Sequence, residues 1–238
     1  CGVPELCDAC EAVEKETGKK VKPIYGCEIY FTEDPEIGSK VKSRLYHMVL
    51  LAKNNVGYHN LLHLVSESHC DNFYYKPRTT FDMLKKYAEG CIASSACIAG
   101  IIPRCIDARD FEGAEQWARK LASLYEPGDF YIELQNHGIP EQQQVLPGLR
   151  RIAKELSIKT VATNDIHYVE RGDAEAQDVL LCIQTQRFVD ETNRMRMQTD
   201  EFFVKSEEEM RERFPQADEA FENTVKIAER CSVEFTFG

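Results

Sequence analysis

The chain of 238 residues has one tryptophan, no apolar run long enough to span a membrane, and no basic-then-apolar leader. A soluble, cytoplasmic protein with no membrane partner is therefore expected. G-x-G-x-x-G and G-x-x-x-x-G-K-[ST] are both missing, which disfavours dinucleotide and P-loop phosphate binding. Positive charge is outnumbered, 29 Lys and Arg against 40 Asp and Glu. A formal net charge of −11 argues against gripping a nucleic-acid backbone by counterion release, so any nucleic acid has to be held locally, through a metal, or by other parts of a larger protein. Cys7-Asp8-Ala9-Cys10 has no second C-x-x-C and falls within a helical pattern, where core packing is the simpler reading. The ten cysteines are scattered through apolar patterns in a chain large enough to fold without staples, so a reduced state is expected. An initiator Met and a polar tail are also missing, and the chain reads as a fragment at both ends.

What is present is ordinary globular composition, 43% hydrophobic and 29% charged. Pro4 opens a helical pattern with Leu6, Ala9, Cys10 and Val13 on one face, ending near Gly18. Strands are predicted at Lys22 to Phe31, Tyr46 to Ala52, Gly90 to Ser94, Asp129 to Gln135 and Ile158 to Thr163. Helices are predicted at about 55–67, 80–88 and 110–125, with another running to about Ser157 that is interrupted or started late at Pro147. This alternation implies an α/β fold with a mainly parallel sheet, open or closed into a barrel, with ligands gathering at the carboxyl ends of the strands. From about Glu170 onward the strand signal fades into helices and polar connections, and Glu207-Glu208-Glu209-Met210-Arg211-Glu212-Arg213 reads as a solvated helix face.

Asp165 and His167 lie two apart after the last apolar strand, so in an extended segment their side chains project to the same side. Such a pair can bind a divalent metal or act as acid and base; it can equally be a turn cap and a packed surface histidine. Glu28 reads first as an exposed strand position, His47 as a hydrogen-bonded core histidine, and Cys97 as a buried thiol that could also meet a metal. His59, His63 and His69 read as surface or interhelical residues. His137, in Gln135-Asn136-His137-Gly138, ends a strand and is a candidate substrate contact.

Several segments shift these readings together: Gly26-Cys27-Glu28, Tyr46-His47-Met48-Val49-Leu50-Leu51-Ala52, Ala96-Cys97-Ile98-Ala99-Gly100, Glu133-Leu134-Gln135-Asn136-His137-Gly138 and Asn164-Asp165-Ile166-His167-Tyr168. In this order they resemble the PHP (polymerase and histidinol phosphatase) domain at the amino end of the bacterial DNA polymerase III alpha subunit, in the replicative form without an inserted exonuclease. The resemblance covers nearly the whole chain and implies a distorted seven-stranded β/α (TIM-like) barrel of the PHP type. The first strands would be missing; residues 1–170 would form the incomplete barrel, and 171–238 a mostly helical extension leading toward the polymerase palm. Glu28, His47, Cys97, Asp165 and His167 match family ligands of a cluster of up to three divalent metals, zinc being favoured over manganese or iron. Four of nine ligands, from a His-x-His and a Thr-Asp-His-Gly segment, do not occur here, so the fragment alone is expected to bind metal incompletely and to be inactive.

Function by resemblance is that of a part of a DNA-directed DNA polymerase, whose PHP domain can be a metal-dependent 3′–5′ exonuclease. The implied partners are the rest of the polymerase chain, DNA through that protein, and a proofreading exonuclease subunit. Two alternatives stand beside it: a scaffold that braces the polymerase and binds the proofreading subunit, and a free-standing PHP phosphoesterase.

Overall fold

A computed structural model describes residues 2–34 and 36–236. Helix α1 (Val3–Thr17) begins with Pro4 in its first turn and ends where Gly18 takes φ +68°. None of its residues is fully buried; Cys7 and Cys10 are half-buried, and Cys7 packs against the main core as the core-packing reading of the pair expects. The Cys7 sulfur lies 2.9 Å from the Tyr25 hydroxyl.

Next come strands β1 (Gly26–Phe31) and β2 (Tyr46–Ala52), then helix α2 (Asn55–Cys70), whose cap Asn54 accepts from the Gly57 amide. A two-residue pair, β3 (Phe73–Tyr74) and β4 (Lys76–Pro77), forms a small hairpin. Helix α3 (Phe81–Lys86), capped by Thr80, leads to β5 (Cys91–Ser94), α4 (Ile101–Asp107) and α5 (Phe111–Ala122). Strand β6 (Phe130–Leu134), helix α6 (Pro140–Glu155) and strand β7 (Lys159–Ala162) complete the sheet region. Beyond a single 3-10 turn lie α7 (Ala174–Thr185), α8 (Glu207–Arg213) and α9 (Asp218–Arg230).

The main sheet has the order β1-β2-β5-β6-β7. Its β5–β6 and β6–β7 pairs are parallel, as the alternation predicts. The β1–β2 and β2–β5 pairs are antiparallel, and that departs from it. The described residues thus form five strands in a mixed sheet with β1 and β7 at its ends, rather than a closed seven-stranded barrel. Strand β2 buries Met48, Leu50 and Ala52 and leaves His47, Val49 and Leu51 half-buried, so its continuous apolar run covers one core face and one half-open face.

Helix α6 starts seven residues ahead of Pro147 and runs through it. Burial of Val145, Leu149, Ile152 and Ala153 on one face outweighs the hydrogen bond that proline removes. Helix α9 packs on β7, and Phe214, Ala217, Ala220 and Phe221 join the same core as Leu50, Ile102 and Ile132, so the helical end is part of the main core. At the opposite edge from the strand carboxyl ends, Asp129, 1% exposed, holds Lys53 Nζ at 2.6 Å and also binds the Arg230 guanidinium. Arg230 donates on to the Gly128 carbonyl at 3.0 Å, so this carboxylate ties α9 to the base of the sheet.

Candidate metal centre

Sheet direction brings the candidate residues to one edge. Strands β5, β6 and β7 are parallel, so Cys97, His137 and Asp165 all follow their carboxyl ends. Strand β2 is antiparallel to β5 and presents its beginning, with His47, at that edge. In the β1–β2 register Tyr30 stands opposite His47 and Glu28 opposite Val49, so Glu28 is the diagonal neighbour of His47 on the same face.

The contacts follow from this register. His47 Nδ1 lies 2.7 Å from Glu28 Oε1 and 3.4 Å from Cys97 Sγ. The turn bearing Cys97 is pinned to β2 by the His47 amide, which donates to the Ala99 carbonyl at 3.1 Å. A Cβ on Gly100 would stand 2.1 Å from the Ser95 carbonyl oxygen, so this tight return requires glycine. The Cys97 sulfur first and the Glu28 carboxylate second hold the His47 imidazole protonated up to about 10, against the opposing effect of burial. The hydrogen bond from His47 in turn lowers the Glu28 carboxyl.

Asp165 and His167 lie within electrostatic reach of Glu28, with no direct contact to the trio among the described hydrogen bonds and ion pairs. Burial pushes the Asp165 carboxyl up; His167 opposes that shift and the Glu28 carboxylate adds to it. Asp165 sits at φ +44°, a left-handed conformation that costs a side-chain-bearing residue free energy and must be held by its surroundings. His167 Nδ1 donates to the Asp165 carbonyl at 2.7 Å, which leaves the Nε2 lone pair available, the tautomer a metal ligand needs. The Asp165 carboxylate itself is 4.0 Å from that Nδ1.

Among the described residues, no three His, Cys, Asp or Glu side chains are arranged to hold an ion. The donors fit a metal in type and location, with imidazole, thiol and carboxylate meeting at His47, but they do not form a closed coordination shell.

His137 differs from its expected role as a substrate contact. It is 0% exposed, and both ring nitrogens are committed to the protein. Nε2 donates to the Asn164 carbonyl at 2.6 Å, and Nδ1 accepts from Gln142 Nε2 at 2.8 Å, while the His137 amide donates to Gln142 Oε1 at 2.8 Å. Phe202 stacks on its ring at 4.1 Å and meets His167 edge-on at 5.5 Å. Burial keeps His137 below the ordinary histidine range, hence neutral at pH 7. His59, His63 and His69 are exposed on α2, as expected.

Three groups that support the site carry no spacing motif. Asn164 donates to the Phe203 carbonyl at 2.5 Å and accepts from Lys205 Nζ at 3.2 Å, while the His167 amide donates to the Phe202 carbonyl at 2.8 Å. The 201–205 segment therefore straps down the loop that presents Asp165. Glu133, buried in β6, accepts from Thr163 Oγ1 at 2.5 Å, Gln135 Nε2 at 3.1 Å and Ser94 Oγ, joining the ends of three strands. Its signals were a lone carboxylate inside the apolar run Phe130-Tyr131-Ile132-Glu133-Leu134 and its place at the head of the Glu133 to Gly138 segment that carries the resemblance.

The family model described as "PHP domain" matches residues 1–137. Similar proteins named DNA polymerase III subunit alpha occur in Borreliella burgdorferi, 46% identical over 89% of this chain and 19% of the relative, and in Treponema pallidum, 41% identical over 90% and 18%. That of Thermus aquaticus is 41% identical over 98% of this chain and 20% of its own length. The chain thus spans about one-fifth of the length of the curated relatives it matches. With more than half of its residues under the family model, and with the segments bearing Glu28, His47, Cys97 and His137 inside that span, the chain belongs to the PHP domain family.

Proposed function

We propose that this chain is the PHP domain of a bacterial replicative DNA polymerase alpha subunit, with a phosphoesterase-type metal site at the carboxyl edge of its sheet. The observation that carries this reading is the meeting of Glu28, His47 and Cys97, from three separate chain segments, at the sheet edge where Asp165 and His167 also follow a strand end. Relatives named DNA polymerase III subunit alpha support the polymerase context. The five strands are then a section of the family's β/α barrel, with residues 1–170 its barrel part and 171–238 the approach to the palm.

Glu28, His47, Cys97, Asp165 and His167 would hold the ions, with zinc favoured by the nitrogen and sulfur donors and manganese or iron suited to oxygen-rich positions. When bound, such ions polarise a phosphoryl oxygen and lower the pKa of a water. The chain's own contribution is positional: His137 and Phe202 fix the loop of Asp165, His167 presents Nε2, and the Cys97 turn is locked to β2. The substrate this suits is a 3′ nucleotide of single-stranded DNA, delivered by the longer protein, with a proofreading subunit as a further partner.

The test is Asp165→Asn in a polypeptide extended to the length of its relatives. Metal-dependent nucleotide release from single-stranded 3′ ends should fall by about 100-fold or more while DNA synthesis continues. Unchanged release refutes the assignment. A scaffold role is favoured by one observation, the absence of a closed three-residue ligand set among the described residues. On that reading metal removal lowers the melting temperature, and no nuclease activity is found even in the extended protein.

A further inference from the structure

The same edge carries a line of rings, half-buried at Tyr30 and Tyr74 and exposed at Tyr75. Tyr30, opposite His47 in the β1–β2 ladder, meets the His47 ring edge-on at 5.3 Å. Lys76 Nζ stands 5.3 Å from the Tyr30 ring centroid, and Lys76 pairs with Tyr74 across the β3–β4 hairpin. Tyr74 and Tyr75 are in ring contact at 4.6 Å. A continuous line of groups therefore leads from the candidate cluster out to the hairpin tip.

The hairpin is firmly mounted. The Thr79 amide donates to the Tyr30 carbonyl at 2.8 Å, and the Thr32 amide to the Thr79 carbonyl at 2.9 Å, binding the segment after β4 to β1. Arg78, 2% exposed, lies 5.7 Å from the Tyr74 ring and donates to Asn72, Ser39 and Val41 carbonyls, fixing the hairpin base. Against this rigid base, Phe73 stacks on the His69 ring of α2 at 6.5 Å, whereas Tyr75 is 78% exposed and its ring lies outside the core. Tyr75 also sits at φ +61°, where glycine or asparagine would be more at ease. A bulky ring held in a left-handed turn, outside the core and against Tyr74, has a face open to a stacking ligand.

We propose that Tyr75 of this hairpin, with Tyr74, Lys76 and Tyr30, forms a stacking platform for the bases of single-stranded nucleic acid whose end enters the site beside His47; the substrate class rests on the function proposed above. Every base has a π face, so aromatic rings grip a single strand without sequence preference. Lys76 supplies one local cation for a phosphate on a chain whose net charge of −11 opposes broad backbone binding. A duplex, with its bases already stacked, offers these rings nothing.

The experiment is fluorescence anisotropy of a labelled oligothymidylate with this chain, at low salt and with EDTA so that the metal site takes no part. Tyr75→Ala should weaken binding by roughly 5- to 150-fold, the span of one lost base stack. Tyr75→Phe should stay within about twofold of wild type, and Tyr75→Asn, which suits the left-handed turn, should lose as much as alanine. An oligomer of abasic sites should bind the wild type as weakly as thymidylate binds the alanine variant. No measurable binding by wild type, an alanine variant within twofold of it, or equal loss in the phenylalanine variant overturns the platform. Those failures leave the metal-site reading standing, since that is decided by nucleotide release in the Asp165→Asn comparison.

Discussion

His137→Ala is the perturbation that most directly probes how the site loop is held. Truncation removes the bond to the Asn164 carbonyl and leaves Gln142 Nε2 without its acceptor, in a position from which water is excluded. Two lost hydrogen bonds at about 1 kcal/mol each, with a ring stack on Phe202 worth about 1 kcal/mol, give a loss of about 3 kcal/mol. For a chain of this size that lowers Tm by roughly 6–12 °C. The pH dependence has a definite sign. The folded His137 is held below its ordinary value of 6.5 by burial, so its unfolded form takes up a proton first. Wild-type stability from this group is present above about 6.5 and lost as pH falls through the folded value. The alanine variant lacks that loss, so its deficit should be largest near pH 8 and shrink toward pH 5. Paired thermal and urea unfolding at both pH values measures it. A Tm within 1 °C of wild type at pH 8, or a deficit that grows on acidification, refutes the role assigned to this histidine.

Two further substitutions probe the frame. Asp129→Ala should cost about 3 kcal/mol in urea unfolding, the low end for breaking a buried pair, because Lys53 keeps Glu126 at 2.6 Å and Arg230 is partly solvated; a cost below about 0.5 kcal/mol would contradict the latch. Burial pushes the Glu133 carboxyl up despite its three donors, so the folded state keeps the proton and wild type loses stability as pH rises above about 4.3 toward the folded value. Glu133→Gln should therefore gain on wild type as pH rises from about 4 to about 8, whereas Glu133→Leu leaves three buried polar partners unpaired and should be destabilised throughout; a glutamine variant that falls behind as pH rises would rule this out.

Strand positions were legible because apolar runs such as Tyr46 to Ala52 are bounded by polar turns. Strand direction was not, because periodicity says which face is buried and nothing about the neighbour, and β1 and β2 proved antiparallel. The predicted start at Lys22 came four residues early, since apolar Val21 and Ile24 continue the pattern outside the ladder. Helix α4 was hidden by its brevity and by Pro103, which is tolerated in a first turn. Of the candidate residues, Glu28, His47 and Cys97 come into direct contact, while Asp165 and His167 follow β7 at the same sheet edge. What the pattern could not reveal was support through backbone carbonyls, as at Asn164, or the burial that withdraws His137 from solvent.

The left-handed backbone of Asp165 has an evolutionary corollary. Among residues with a side chain, asparagine tolerates that conformation as readily as aspartate and has nearly the same shape. The His137 and Phe202 supports act on Asn164 and on main-chain atoms, so they are indifferent to which of the two follows. Folding thus exerts almost no pressure to keep the negative charge. A lineage that drifted to asparagine would retain an intact domain and lose the proposed metal ligand silently; only selection on that proposed site would keep the carboxylate in place.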